Sequence, residues 1–528
     1  MIQFTYIRIL IILNVSLLFI ACGDRNANKE DNLDHPVNAE NRTDYTERFR
    51  PQFHFTPKEK WMNDPNGLVY HQGVYHLFYQ YYPDDIVWGP MHWGHAISKD
   101  MISWEHKPIA LYPDELGYIF SGSAVIDIHN TSGFGTKENP PMVAIYTYHS
   151  MEGETAGATN FQTQGIAYSL DNGETFSKYE GNPVIPNDTG IKDFRDPKVY
   201  WDEEAKHWIL ILVAGDHAKF YRSDNLKEWV HLSDFGKDKG AHGGVWECPD
   251  LFKLKVGETE EEKWVLLISI NPGAPNGGSG TLYFVGDFDG KKFTAEHEDH
   301  KWLDWGTDNY AGVTYNNTPN NERIFIGWMS NWNYARNTPT ERWRSAMTLP
   351  RELSLIKENG SYFLRSNVLQ AFNKLVSNVS EQEIISLESP FELDYLNFNQ
   401  SEVTFKTNPS KQLKLEFTNN KNEKLVFEID PANKKMNLDR TASGLVGFEP
   451  SFAKAIHAMP YSVSDKEVDV RIIMDWSSVE IFVNDGKYVM SDQIFPTEFY
   501  DKLTVSSSDK VELNNFNLNN IKSIWKDE

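Results

Sequence analysis

The chain has 528 residues, 40% hydrophobic and 13% aromatic, the composition of a folded protein too long for one compact core. Its 51 basic and 75 acidic side chains give a net charge of −24, which argues against nucleic acid and against an anionic ligand held by charge, and suits a neutral one. Two cysteines, Cys22 and Cys248, allow no disulfide framework, and no CxxC or His/Cys cluster offers a metal site, so neither metal nor cofactor is expected.

From the N-terminus, Arg8 precedes Ile9 to Ile20, a run that is apolar except for Asn14 and Ser16. It is too short for an ordinary spanning helix and reads as the core of a secretory signal. It ends Leu18-Phe19-Ile20-Ala21-Cys22, which resembles a bacterial lipoprotein box. Residues 1–22 are then a signal peptide ending at the modified cysteine, and lipid on Cys22 anchors the protein to the cell envelope. The plainer alternative is an ordinary signal peptide with an incidental cysteine. Residues 23–46 are polar and aperiodic and read as a flexible tether. Membrane contact is expected through the lipid alone; membrane face and oligomeric state are left open.

Trp61-Met62-Asn63-Asp64-Pro65-Asn66-Gly67 places an acid among turn residues beside an aromatic, so Asp64 is expected at a rigid turn entering a strand. Phe194-Arg195-Asp196-Pro197 and Val245-Trp246-Glu247-Cys248-Pro249-Asp250 set further acids next to proline, ahead of β-rich segments. The residue before proline is biased to extended backbone, so these acids are expected on edge-like strands. Three carboxylates in one repeated context suggest one shared cavity.

Between residues 53 and 350 short β runs alternate with turns. A weak repeat appears: Ser98 to Trp104, Ser169 to Phe176, Ser223 to Trp229 and Asp287 to Phe293 each read as a polar turn leading into an aromatic strand. A fifth hairpin fits Gly312 to Trp328. Repeated antiparallel units of this kind suggest propeller blades, five in number. His92 and His95 share metal-like spacing but have no further ligands nearby in sequence, and read as strand residues. After Leu353, Ser366 reads as an N-cap and Val368, Leu369, Phe372, Leu375 and Val376 follow at helical spacing, predicting a helix over 367–378. From about Ser386 the pattern has period two, with Asn484-Asp485-Gly486 as a hairpin turn, and predicts a β-sandwich. The expected fold is all-β: a five-bladed propeller over 47–352, a linker with a short helix over 353–385, and a β-sandwich over 386–528.

Taken together with Phe120-Ser121-Gly122-Ser123 and Trp328-Met329-Ser330-Asn331-Trp332, the three acidic motifs make the chain resemble glycoside hydrolase family 32, the β-fructosidases, over about residues 45 to 525. The resemblance implies a retaining hydrolase releasing fructose from fructans such as levan and inulin, or from sucrose. It assigns Asp64 as nucleophile, Glu247 as acid/base and Asp196 as transition-state stabiliser. Physical chemistry agrees on Glu247: like charges on Asp64 and Asp196 raise the cost of ionising it, and the longer side chain reaches a leaving oxygen. Motif matching further implies substrate contacts from Asn63, Gln80, Trp88, Ser121, Arg195, Asp308 and Trp332. Asn309 departs from the family, where an aromatic is common. Exo against endo action, transfer to another sugar, and linkage preference stay open. An arabinan furanosidase lacks the first motif, and a surface fructan-binding lipoprotein would not need all three acids.

Overall fold

The computed structural model describes residues 45–462 and 467–525. The signal and Cys22 lie outside the described residues, as does the tether up to residue 44. Among the described residues the fold is a five-bladed β-propeller followed by a β-sandwich, built from seven sheets. The five blade sheets are ordered around strands Lys60–His71, Tyr118–Ile126, Phe194–Asp202, Val245–Lys255 and Tyr310–Thr314, which line the axis. Each of these inner strands packs against the next, and the last packs against the first. Closure is reinforced where Trp343–Arg344 pairs in parallel with Lys60 and Trp61.

The four repeated turns seen in the sequence join the third and fourth strands of blades one to four. In the first, Ser98 Oγ accepts from the Met101 amide at 2.8 Å; in the third, Ser223 Oγ accepts from the Leu226 amide at 2.8 Å. The fifth hairpin is of another kind: Gly312 to Trp328 spans the first and second strands of blade five. Its outer hairpin is Arg351–Glu358 with Ser361–Val368, turned through Asn359 and Gly360 at φ 50° and 80°. The propeller therefore continues to Val368, and the expected linker 353–385 is not a separate segment. Nor does a helix span 367–378. Ser366 lies in a strand, Gln370–Leu375 is a short 3-10 turn, and Val376–Leu387 is already a sandwich strand. The apolar spacing there serves packing between the domains: Val368 and Phe372 join Phe53 and Ile473 in one core cluster.

The two sandwich sheets have six strands each. Their contact with the propeller contains buried ionic groups. His54 meets Asp475 at 2.7 Å through Nδ1 and Glu480 at 3.1 Å through Nε2; although burial opposes its charge, these carboxylates raise it to about 9. Arg351 bonds Asp304 at 3.0 Å and also donates to Glu480.

Below the acids, the axis is filled by side chains that cross it. Lys198 of blade three meets Asp250 of blade four at 3.2 Å and donates to the Thr314 carbonyl of blade five at 2.5 Å. Asn316 donates to the carbonyls of Ala124 and Val199 at 2.8 and 3.1 Å, and its amide donates to Leu68 at 2.9 Å. All of these polar groups are buried, so the funnel has a floor.

Candidate active site

Every inner strand has a register irregularity at the same level. The shifts fall between Met62 and Pro65, Ile119 and Gly122, Glu247 and Asp250, and Tyr310 and Val313, and opposite Asp196 between Ile211 and Val213. A bulge inserts an unpaired residue and re-aims its side chain. Asp64, Ser121 and Asp196 fall within these irregular steps, and Glu247 and Tyr310 are the last paired residues before theirs, so the five side chains gather at one level of the axis. Two sequence expectations change here. The Trp61–Gly67 segment is not a turn entering a strand but lies within a strand bent twice. Asp196, expected on extended backbone, sits at φ 61°, and Cys248 before its own proline at φ 44°. The bulge geometry, held from both neighbouring blades, overrides the pre-proline bias. Gly67, at φ 53°, is needed where it stands: a Cβ there would approach Phe78 and Trp93 within 2.7 and 2.8 Å.

A cavity of about 460 Å³ opens over these residues. Asp64 accepts from Ser121 Oγ at 2.6 Å and from Asn63 Nδ2 at 2.9 Å, and Asn63 is itself fixed by Trp61 Nε1 at 2.7 Å. Asp196 accepts from the Cys248 amide at 3.0 Å. The Cys248 thiol lies 3.7 Å from both Asp64 and Asp196; burial pushes it far above the usual thiol range, so it is packing and not a nucleophile. Arg195 donates to Glu247 at 2.9 Å and to Asp193 at 2.5 Å, and lies 3.7 Å from Asp196. Tyr310 donates to the other oxygen of Glu247. Gln80 lines the pocket, its amide tied to the Ile119 carbonyl at 3.0 Å. Trp88 stands edge-on to Phe120 on one side. Trp332 stands on the other, stacked near Trp61.

One proposed contact fails. Asp308 is fully buried away from the cavity, accepting from Arg440 at 2.8 Å, Tyr334 at 2.8 Å and the Gln493 amide at 2.9 Å. Asn309 is likewise buried, bonded to Asp304 at 3.0 Å, so its departure from the family pattern does not touch the pocket edge. Sequence reasoning missed Tyr310 and Gln162, which reach the site from strands, and Glu154, from the short helix Met151–Thr155; none stands in one of the acid-Pro motifs.

The charges explain the chemistry. Burial raises Glu247 to about 7; Arg195 opposes this, while Asp196 and Asp64 add to it. Burial likewise raises Asp196 to about 6, against Arg195 and with help from Asp64. Asp64 is raised by burial and pulled back by Ser121 and Asn63. With Glu247 raised to about 7 and Asp196 to about 6, Glu247 keeps its proton to higher pH than Asp196, which leaves an acid beside a potential nucleophile, Asp64.

Two family models cover this chain: the glycosyl hydrolases family 32 N-terminal domain over residues 54–366 and the family 32 C-terminal domain over residues 367–520. The chain belongs to glycosyl hydrolase family 32. It is 45% identical over 494 residues to a levanase of Bacillus subtilis, covering 91% of this chain and 72% of that protein. It is 41% identical over 491 residues to an extracellular exo-inulinase of Aspergillus awamori, covering 86% and 90%. A crystal structure of exo-inulinase from Aspergillus awamori aligns with TM-score 0.84 at 36% identity, covering 91% of this chain and 100% of that one. A β-fructofuranosidase of Schwanniomyces occidentalis with fructosyl-erythritol aligns with TM-score 0.80 at 30% identity, covering 91% and 99%. The protein is thus a glycoside hydrolase, and its family 32 motifs converge on one pocket.

Because an acid must be protonated to act, kcat/KM should fall as pH rises through about 7, where Glu247 ionises. Glu247→Gln should abolish that basic limb in a pH profile. Tyr310→Phe should move the limb to higher pH, since a hydrogen bond to the ionised carboxylate is lost. An unchanged limb in Glu247→Gln assigns it to another group.

Proposed function

We propose that this family 32 enzyme removes terminal fructosyl units from fructans by double displacement, with retention of configuration. Glu247 protonates the glycosidic oxygen while the Asp64 carboxylate attacks the anomeric carbon, giving a fructosyl ester and a free leaving sugar. Glu247, now ionised, takes a proton from water; the water oxygen attacks the same carbon, releasing fructose and Asp64. Asp196 accepts hydrogen bonds from fructosyl hydroxyls as oxocarbenium character develops, and Arg195 holds Glu247 and Asp196 in place. Asn63 and Gln80 have free polar capacity towards the sugar, Trp88 walls it, and Trp332 stands at the mouth. The observation that carries the exo reading is the floor: with Lys198, Asp250, Thr314 and Asn316 filling the axis, a chain end fits the funnel and a chain interior has no second exit. The names of the relatives, levanase and exo-inulinase, support fructan as substrate.

Product analysis on levan, inulin and sucrose tests this. Fructose alone, first formed as the β-anomer by proton NMR, is expected; a ladder of oligosaccharides would mean endo action, and the opposite anomer would remove Asp64 from the nucleophile role.

We also propose that Cys22 carries a lipid anchoring the enzyme to the cell envelope, a reading supported by the Ile9–Cys22 sequence. Cys22→Ala should leave the membrane fraction or remain unprocessed; a processed variant still held in membranes contradicts the anchor.

A further inference from the structure

The Asp308 motif, which does not reach the pocket, has another use. The wall that carries Trp332 is the loop Asn331–Asn337, irregular but for a 3-10 turn at Ala335–Asn337. Trp332, Asn333 and Arg336 of this loop face the pocket mouth, with the Arg336 guanidinium 5.1 Å over the Trp332 ring. An irregular surface loop holds a wall in one place only if something anchors it from behind.

The anchor comes from the sandwich. Tyr334 points the opposite way from Trp332 and is buried. Its hydroxyl donates to Asp308 at 2.8 Å and accepts from Arg440 at 2.9 Å. Arg440, a sandwich residue, also bonds Asp308 at 2.8 Å and Thr307 at 2.8 Å, and stacks on Phe452, 4.2 Å from the ring centroid. Phe452 meets the Tyr334 ring edge-on at 5.0 Å. From the same sandwich segment Ser451 donates to the Asn333 carbonyl at 3.1 Å, and Glu449 accepts from Asn337 at 2.8 Å. Buried charge and aromatic contact thus fix the loop at its middle, and two exposed hydrogen bonds fix its flanks.

We infer that the sandwich domain builds the mouth wall of the pocket: Arg440, acting through Tyr334, and Glu449 and Ser451 are positioning residues for Trp332, Asn333 and Arg336, which receive the part of the fructan that leaves. The inference rests on the fructan reading above. It makes the sandwich part of substrate recognition and assigns Asp308 to the clamp that the sandwich uses. Asp308 and Arg440 are both buried; Arg440 also has Asp492 at 3.5 Å, whereas Asp308 has Arg440 as its cation, so losing Arg440 would leave buried carboxylates without their guanidinium. The acids and Asn63, Gln80 and Trp88 around the fructosyl group are carried by blades one, three and four and are not bonded to the clamp.

The test compares a short fructo-oligosaccharide with fructosyl fluoride, which has no leaving sugar to touch the wall. Tyr334→Phe keeps the ring and removes the hydroxyl; Glu449→Ala/Ser451→Ala cuts only the exposed flanks and should fold even if buried changes do not. For both, KM for the oligosaccharide should rise about 2- to 10-fold, the range of one or two hydrogen bonds, with kcat nearly unchanged and with fructosyl fluoride little affected. Unchanged oligosaccharide KM in both variants, or equal losses on the two substrates, overturns the positioning role. If the wild type cleaves neither fructoside, the fructan reading itself falls; if the wild type is active and the variants match it, only the sandwich's role falls.

Discussion

Three carboxylates, Asp196 buried and Asp64 and Glu247 partly open to the cavity, are gathered about one guanidinium above the floor of the funnel. Arg195 reaches Glu247 and lies close to Asp196, while Asp64 is served by neutral donors. With one guanidinium set among three acids, full ionisation would leave unbalanced negative charge in a confined site, so the group last to ionise keeps its proton to higher pH. Glu247, pushed by burial to about 7 against about 6 for Asp196, is that group. The division into acid and nucleophile follows from charge accounting in a confined space.

That confinement depends on the ring. The inner strands supply one side chain each at one level because each is bulged at that level. Positive φ at Asp196 and Cys248 is strain held by the neighbours. The Thr147 hydroxyl takes the Asp196 amide at 3.0 Å, and Cys248 bonds the Asp196 carboxylate. Below, the Lys198–Asp250 pair and Asn316 tie the blades across the axis. The same residues that close the ring close the pocket, so fold stability and substrate geometry are linked at the floor.

The motifs containing Asp64, Asp196 and Glu247 were legible in the sequence because acids set among Pro, Asn and Gly are rare outside special backbone. The turns at Ser98, Ser169, Ser223 and Asp287 were legible because each fixes its own amides locally. What was not legible depends on residues distant in the chain. Asp308 looks like a pocket acid until Arg440, 132 positions later, is placed against it. Tyr310 gives no sign that it will meet Glu247. Val368, Phe372 and Val376 repeat at helical spacing only because consecutive short elements all bury apolar groups at the domain junction. The last blade was cut short although Asn359-Gly360 is itself a hairpin signal, because the apolar spacing from Val368 onward was read as a linker helix outside the propeller.

The central claim is that Glu247 donates the proton and Asp64 forms the bond. It is tested most directly by comparing fructan with fructosyl fluoride, whose leaving group needs little protonation, in Glu247→Ala and Asp64→Ala. Glu247→Ala should lose about 10²–10⁴-fold on fructan but far less on the fluoride, with azide restoring turnover, since azide attacks without deprotonation. Asp64→Ala should lose both substrates. Equal losses on both substrates in Glu247→Ala would contradict the account.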